Sequence, residues 1–208
     1  MATAAAPHIP SATTRTYGWR VVDIVVAAVL GVATGIIFVG WNYVGGASYA
    51  LLDAATPGFG GLAVGIWLLG GVLGGLIIRK PGAALAVELI AAIVSALVGN
   101  QWGITTLYSG LAQGLGAELV FLAFAYRRWG LVPAALAGAG AAVGEWILEL
   151  FIPGNIAKSV TFNVIYLATM ILSGAVLAGG VGWALAKALA ASGALSRFEA
   201  GREARADV

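Results

Sequence analysis

Five carboxylates, Asp23, Glu88, Glu118, Glu145 and Glu149, stand inside stretches of sequence that carry almost no other charge. Placing an acid at the centre of a membrane helix costs roughly 2.5–3.5 kcal/mol on insertion scales, so such a group faces a partner or a cavity. There it can accept hydrogen bonds and attract a cation. Asp23 has Arg20 three residues before it, the spacing of a structural pair on one helix face. Glu145 and Glu149 are one turn apart and share a face, which makes them the preferred electrostatic partners of a cationic ligand. Glu88 and Glu118 lie deeper in their segments, where they either set the floor of a pocket or pair with other buried groups.

Amides and indoles accompany these acids. Trp41, Asn42, Asn100, Gln101, Trp102, Gln113, Trp146, Asn155, Lys158 and Asn163 all fall toward one end of the apolar segments. Asn100, Gln101 and Trp102 form the centre of "GNQWG", a glycine-bounded turn between two apolar runs. On a helical wheel, Ala84, Glu88, Ala91, Ala92, Ser95 and Gly99 make one small, polar stripe. Gly138, Ala141, Ala142, Glu145 and Glu149 make another, and Asn163, Tyr166, Met170 and Ser173 a third. Small residues let helices approach or leave space, and polar groups then lock neighbours together or line that space. A packing network has no reason to concentrate at one end. A pocket opening there does.

Other chemistries lack their residues. With no cysteine there is neither a disulfide nor a thiolate site, and the single histidine, His8, precedes the apolar segments. A metal site would have carboxylates alone, so no metal and no cofactor is expected. The phosphate-binding pattern G-x-x-x-x-G-K-[ST] is missing, so this chain does not itself hydrolyse ATP. "GAGAAVGEW" (138–146) sits in an apolar helix without the preceding strand a nucleotide fold needs, and fits close helix packing instead. No enzymatic activity is expected.

The elements that must position these groups follow from composition. Hydrophobic residues make up 61% of the chain and charged ones 10%, against about 25% charged in a soluble domain; the mean hydropathy is +0.96. About 20 apolar residues cross the hydrocarbon core as a helix. Six such runs can be drawn, at 20–41, 61–78, 82–99, 104–126, 131–151 and 160–190, predicting an all-α integral membrane protein with six transmembrane helices. Residues 1–16 are a polar, disordered tail, too weakly apolar for a signal peptide. Residues 17–191 form one transmembrane domain, and 192–208 a charged tail. Arg15, Arg20, Arg79, Lys80, Arg127, Arg128, Lys187, Arg197, Arg202 and Arg205 fall on one side, and only Lys158 on the other. By the positive-inside rule both termini are cytoplasmic and "GNQWG" faces outward. These flanks account for the net charge of +2, so no nucleic-acid partner is expected; the bilayer is the surrounding partner. Residues 43–61 are too polar to span, and 47–55 suggests a short surface helix within a lid or a plain connector.

"IIRKPGAALAVELIAAIVSALVGNQWG", followed by "GLAQGLGAELVFLAFAYRRWG", resembles the S component of an energy-coupling-factor (ECF) vitamin transporter, of the YkoE type assigned to thiamine or its hydroxymethylpyrimidine precursor. The likeness is strongest over 76–130, and the six-helix layout extends it. It implies a substrate-capturing protein of the cell membrane with an outer pocket, working with a separate transmembrane T component and two ATPase subunits. Trp41, Asn42, Glu88, Asn100, Gln101, Trp102, Gln113, Glu118, Glu145, Trp146, Glu149 and Asn163 are then the expected substrate-binding residues. Thiamine suits them: aromatic faces and carboxylates attract its permanent cation, and amides match its aminopyrimidine. In the resembling family, small residues on the first helix face the T component, which assigns Ala27, Gly31 and Gly35 to the partner interface; packing within the chain is the competing reading. Two other classes stay open. One is an ion-coupled carrier or channel using Glu88 and Glu118 as a path, without ATPase partners. The other is a structural membrane protein in which the acids hold helices together.

Overall fold

The computed structural model describes residues 17–206, which form helices and turns with no strand among them. The tail expected over 1–16 lies outside the described residues. The first helix, α1, runs Val21–Ala55. A 3-10 segment, Phe59–Leu68, leads directly into α2, Leu69–Ile78. There follow α3 (Ala83–Val98), α4 (Thr105–Ala123), α5 (Leu131–Phe151) and α6 (Val160–Ser173). A π-helical stretch, Gly174–Val181, joins α6 to α7, Gly182–Ala191, and α8 covers Glu199–Ala206. Four continuous helices, at Val21–Ala55, Phe59–Ile78, Leu131–Phe151 and Val160–Ala191, are long and apolar enough to cross a membrane, and α3 is a shorter apolar helix.

The helix formed by the 3-10 segment and α2 is the axis of the bundle. Every residue of α2 is buried, while the long apolar side chains of α1 that are exposed, such as Val25, Val29 and Ile36, lie away from the core. Its glycines permit this central place. A Cβ on Gly74 would come within 2.6 Å of the Ala83 carbonyl oxygen, and one on Gly61 within 2.8 Å of that of Tyr166. The pillar opposite is α5, whose backbone touches its neighbours directly: Gly140 meets the Gly116 carbonyl of α4, and Gly138 meets Gly174. Close crossings of this kind are how helices associate where no water drives them together. They hold rigid the helix that carries Glu145 and Glu149.

Three expectations change. α1 does not stop near residue 41 but continues to Ala55, so no separate short helix exists over 47–55. At 1.5 Å per residue it is about 50 Å long, well beyond the hydrocarbon thickness. Gly45 does not break it, because the Trp41 indole lies across Gly45 where a Cβ would stand and donates to the Ala63 carbonyl oxygen at 2.9 Å. That packing offsets the roughly 0.5–1 kcal/mol a mid-helix glycine costs. The break comes at Pro57, where the Asp53 carboxylate accepts the Gly58 N–H at 2.7 Å. At the other chain end, the charged tail is not separate from the bundle: Leu195 and Phe198 are buried in the core, and the Arg20 guanidinium lies over the Phe198 ring.

The third change concerns Ala27, Gly31 and Gly35. All three are buried, and the face they share meets α3. A Cβ on Gly31 would stand 2.5 Å from Ile90 Cβ, and one on Gly35 2.6 Å from Val94 Cβ. Packing within the chain therefore occupies this stripe, and it is not free for a partner subunit. Gly31→Leu is expected to destabilise the protein itself, by about 1–3 kcal/mol or more of overpacking, seen as a lower thermal midpoint in detergent. An unchanged midpoint would return the stripe to the protein's surface. The expected pair at the start of α1 is present: Arg20 Nη2 lies 2.8 Å from Asp23 Oδ1, and Lys80 joins Asp23 from the α2–α3 turn.

Candidate ligand-binding site

The acids divide by place. Glu88 is fully buried on α3, and its carboxylate accepts the Gly71 N–H. Room for it comes from the "GG" at 70–71, since a Cβ on Gly70 would stand 2.9 Å from Glu88 Oε2. One turn apart on α5, Glu145 and Glu149 project from the next wall; Glu145 is buried. These three carboxylates line one cavity of about 680 Å³. In each, one oxygen is buried without a hydrogen-bond partner: Glu88 Oε1, Glu145 Oε2 and Glu149 Oε2. Tyr166, fully buried on α6, presents its hydroxyl to the same cavity, also unpartnered. Leaving a buried polar atom unsatisfied costs roughly 1–3 kcal/mol, more when it is charged. Four in one space mark a place built for something that supplies donors or positive charge.

Part of the lining is aromatic. Trp67, from the 3-10 segment, meets Trp102 edge-on, with ring centroids 5.4 Å apart at 84°. Tyr49, from the extension of α1, meets Tyr166 edge-on at 6.1 Å. Trp102 stands half-exposed on the α3–α4 turn beside exposed Gln101, so this turn forms one rim of the cavity. Asn42, Ser95, Thr105, Thr106, Ser109 and Gln113 add neutral polar groups, and none of the described Lys and Arg residues lines it. Large, mostly apolar cavities with a few convergent polar groups are the usual form of a small-molecule site.

Of the twelve expected substrate residues, Asn42, Glu88, Gln101, Trp102, Gln113, Glu145 and Glu149 meet on this cavity. Five do not line it. Trp41 backs Trp67 from behind, with centroids 6.4 Å apart. Asn100 organises the turn: its Oδ1 accepts the backbone N–H of Trp102 and Gly103 at 2.9 and 2.8 Å. Asn163 Nδ2 donates to the Asn155 carbonyl at 2.8 Å, and Trp146 packs against the core. Glu118 departs furthest. It accepts the Gly82 and Ala84 N–H groups at 2.7 and 2.9 Å and the Tyr126 hydroxyl at 2.6 Å. Those amides open α3, where a helix leaves its N–H groups unpaired and favours negative charge. Glu118 is thus an inter-helix cap rather than a cavity acid, and it does not continue a path from Glu88.

Glu118→Gln is expected to lower stability by about 1–3 kcal/mol, because its amide would turn a donor toward donors. Ligand affinity of the folded variant should not change; a selective loss of affinity with normal stability would put Glu118 back among the binding residues.

Trp67 and Tyr49 line the cavity and are the lining residues that the sequence conceals. Trp67 stands in an unbroken apolar run with no polar neighbour to flag it, and Tyr49 falls in 47–55, expected as a short surface helix outside the spanning segments.

Residues 22–144 match the family described as ABC-type cobalt transport system, permease component. A relative from Bacillus subtilis (strain 168), named as an HMP/thiamine permease protein, YkoE, is 36% identical over 189 residues, 89% of this chain and 92% of the relative. The crystal structure of an S-component of an ECF transporter matches with a TM-score of 0.78 at 34% identity, covering 91% of this chain and 95% of that one.

Proposed function

Given that the chain belongs to the S components of ECF transporters, of the YkoE type, we propose that it captures thiamine, or the hydroxymethylpyrimidine half of it, in the cavity between α1, α3, α4 and α5. As an S component it is a substrate-binding, multi-pass protein of the cell membrane and not an enzyme. One observation carries the substrate: three carboxylates, each with a buried, unpartnered oxygen, line a single cavity together with Trp67 and Trp102. A flat organic cation suits both kinds of group, through charge on the carboxylates and cation–π contact on the indoles. The lack of Lys and Arg among the described residues that line the cavity disfavours a phosphorylated ligand. The family description names cobalt, but the described residues contain no group of His, Cys, Asp and Glu suited to hold a metal ion, and the indoles have no part in binding one.

In this reading the chain crosses the bilayer six times, with the Arg79–Lys80 and Arg127–Arg128 turns inside and the α3–α4 turn outside, as the distribution of Lys and Arg favours. The cavity then opens outward and loads before a T component and two ATPases drive release inward. The test is uptake of labelled thiamine into proteoliposomes. With T component and ATPases present, uptake should require ATP, and the isolated chain should give none under an imposed ion gradient. Gradient-driven uptake by the isolated chain would establish the ion-coupled carrier instead.

A further inference from the structure

Two amides converge on one hydroxyl at the cavity wall. The Trp67 indole N–H can only donate, and its 2.9 Å bond to Asn42 Oδ1 turns Asn42 Nδ2 toward Ser95 Oγ, 3.0 Å away. Asn100 is fixed in the same way. Its Oδ1 accepts two backbone N–H groups, which turns its Nδ2 toward Ser95 Oγ at 3.3 Å. Both acceptor positions of the Ser95 oxygen are therefore occupied by donors, and its single proton has to be given elsewhere. It is not given to the helix. Thr34, Ser48 and Thr169 each donate to the carbonyl four residues earlier, a common fate of hydroxyls inside helices. Ser95 makes no such bond. It is 1% exposed and lines the cavity.

We infer that the Ser95 hydroxyl is a fixed hydrogen-bond donor of the ligand cavity, oriented by Asn42 and Asn100, and that it selects a ligand with an unprotonated ring nitrogen. The inference rests on the proposed thiamine reading and deepens it. The carboxylates of Glu88, Glu145 and Glu149 offer acceptors to amino groups and to positive charge; Ser95 offers the complementary donor. A ring edge that carries an amino group beside an acceptor nitrogen, as an aminopyrimidine does, matches both. Asn42 is a positioning residue here, since its amide is used up between Trp67 and Ser95.

The test compares thiamine with two analogues in which each pyrimidine ring nitrogen in turn is replaced by C–H, titrated into wild type and Ser95→Ala. Wild type should bind one of the two analogues roughly 10- to 100-fold more weakly, because a buried donor is left unpaired. Ser95→Ala should lose roughly 3- to 15-fold for thiamine and bind that analogue no more weakly than thiamine. Ser95→Thr, which keeps the hydroxyl, should retain the discrimination. If Ser95→Ala fails to fold, the wild-type series decides alone. Equal wild-type affinity for all three ligands overturns the inference while leaving thiamine as the substrate, as does a Ser95→Ala that discriminates like wild type. A wild type that binds no thiamine overturns both.

Discussion

Glu145→Gln should raise the dissociation constant for thiamine by roughly 10- to 100-fold, the range expected when a charge-assisted contact is removed from a buried site. Glutamine keeps the size and one acceptor oxygen of the side chain but removes its charge. Hydroxymethylpyrimidine is neutral and lacks the thiazolium, so its affinity should fall by only a few-fold. Glu149→Gln should behave alike, because both carboxylates leave the same face of α5 and each has an unpartnered oxygen in the cavity. Equal losses for the two ligands, read by calorimetry, would mean that the acids shape the cavity without sensing charge.

Trp102→Ala should weaken thiamine by roughly 5- to 150-fold, by analogy with the 1–3 kcal/mol of base–aromatic stacking. The indole stands edge-on to Trp67 at the rim, leaving part of its surface free to meet a ring. Its removal should cost thiamine and hydroxymethylpyrimidine alike if it covers the pyrimidine, and thiamine alone if it covers the thiazolium. The turn itself should survive, since Asn100 and not Trp102 holds it. Unchanged affinity in a folded variant would make Trp102 an interfacial residue of a helix-linking turn.

The elements with punctuation at both ends were legible. The runs drawn at 82–99 and 131–151 correspond to α3 and α5, because Gly82, Gly99 and Gly130 bound them and their small residues fall on one stripe. That same stripe pointed to Glu88, Ser95 and Glu145, which helical spacing alone brings to the interior. α1 runs past its expected end because residues 43–61 look too polar to span, and Gly45 and Gly46 suggest a break when their surroundings are unknown. Only the position of the Trp41 ring shows why a side chain cannot stand at 45. Glu118 shows a second limit. Its depth in α4 is calculable, but its partners, the first amides of α3, come from a crossing of helices that spacing does not encode. For Ala27, Gly31 and Gly35 the pattern identified a close contact and left the contacting helix undetermined. Trp67 was out of reach for a different reason: it enters the cavity from a 3-10 segment, whose three-residue turn shifts side chains away from the faces that a 3.6-residue period assigns.

The cavity is expected to bind thiamine without help. Titrating the purified full chain in detergent with thiamine, by calorimetry and with no ATP or partner subunit, tests it most directly. Saturable one-to-one binding is predicted, with hydroxymethylpyrimidine competing for the same site and cobalt ion leaving the isotherm unchanged. No heat at any accessible thiamine concentration, together with no competition between thiamine and hydroxymethylpyrimidine, would contradict it.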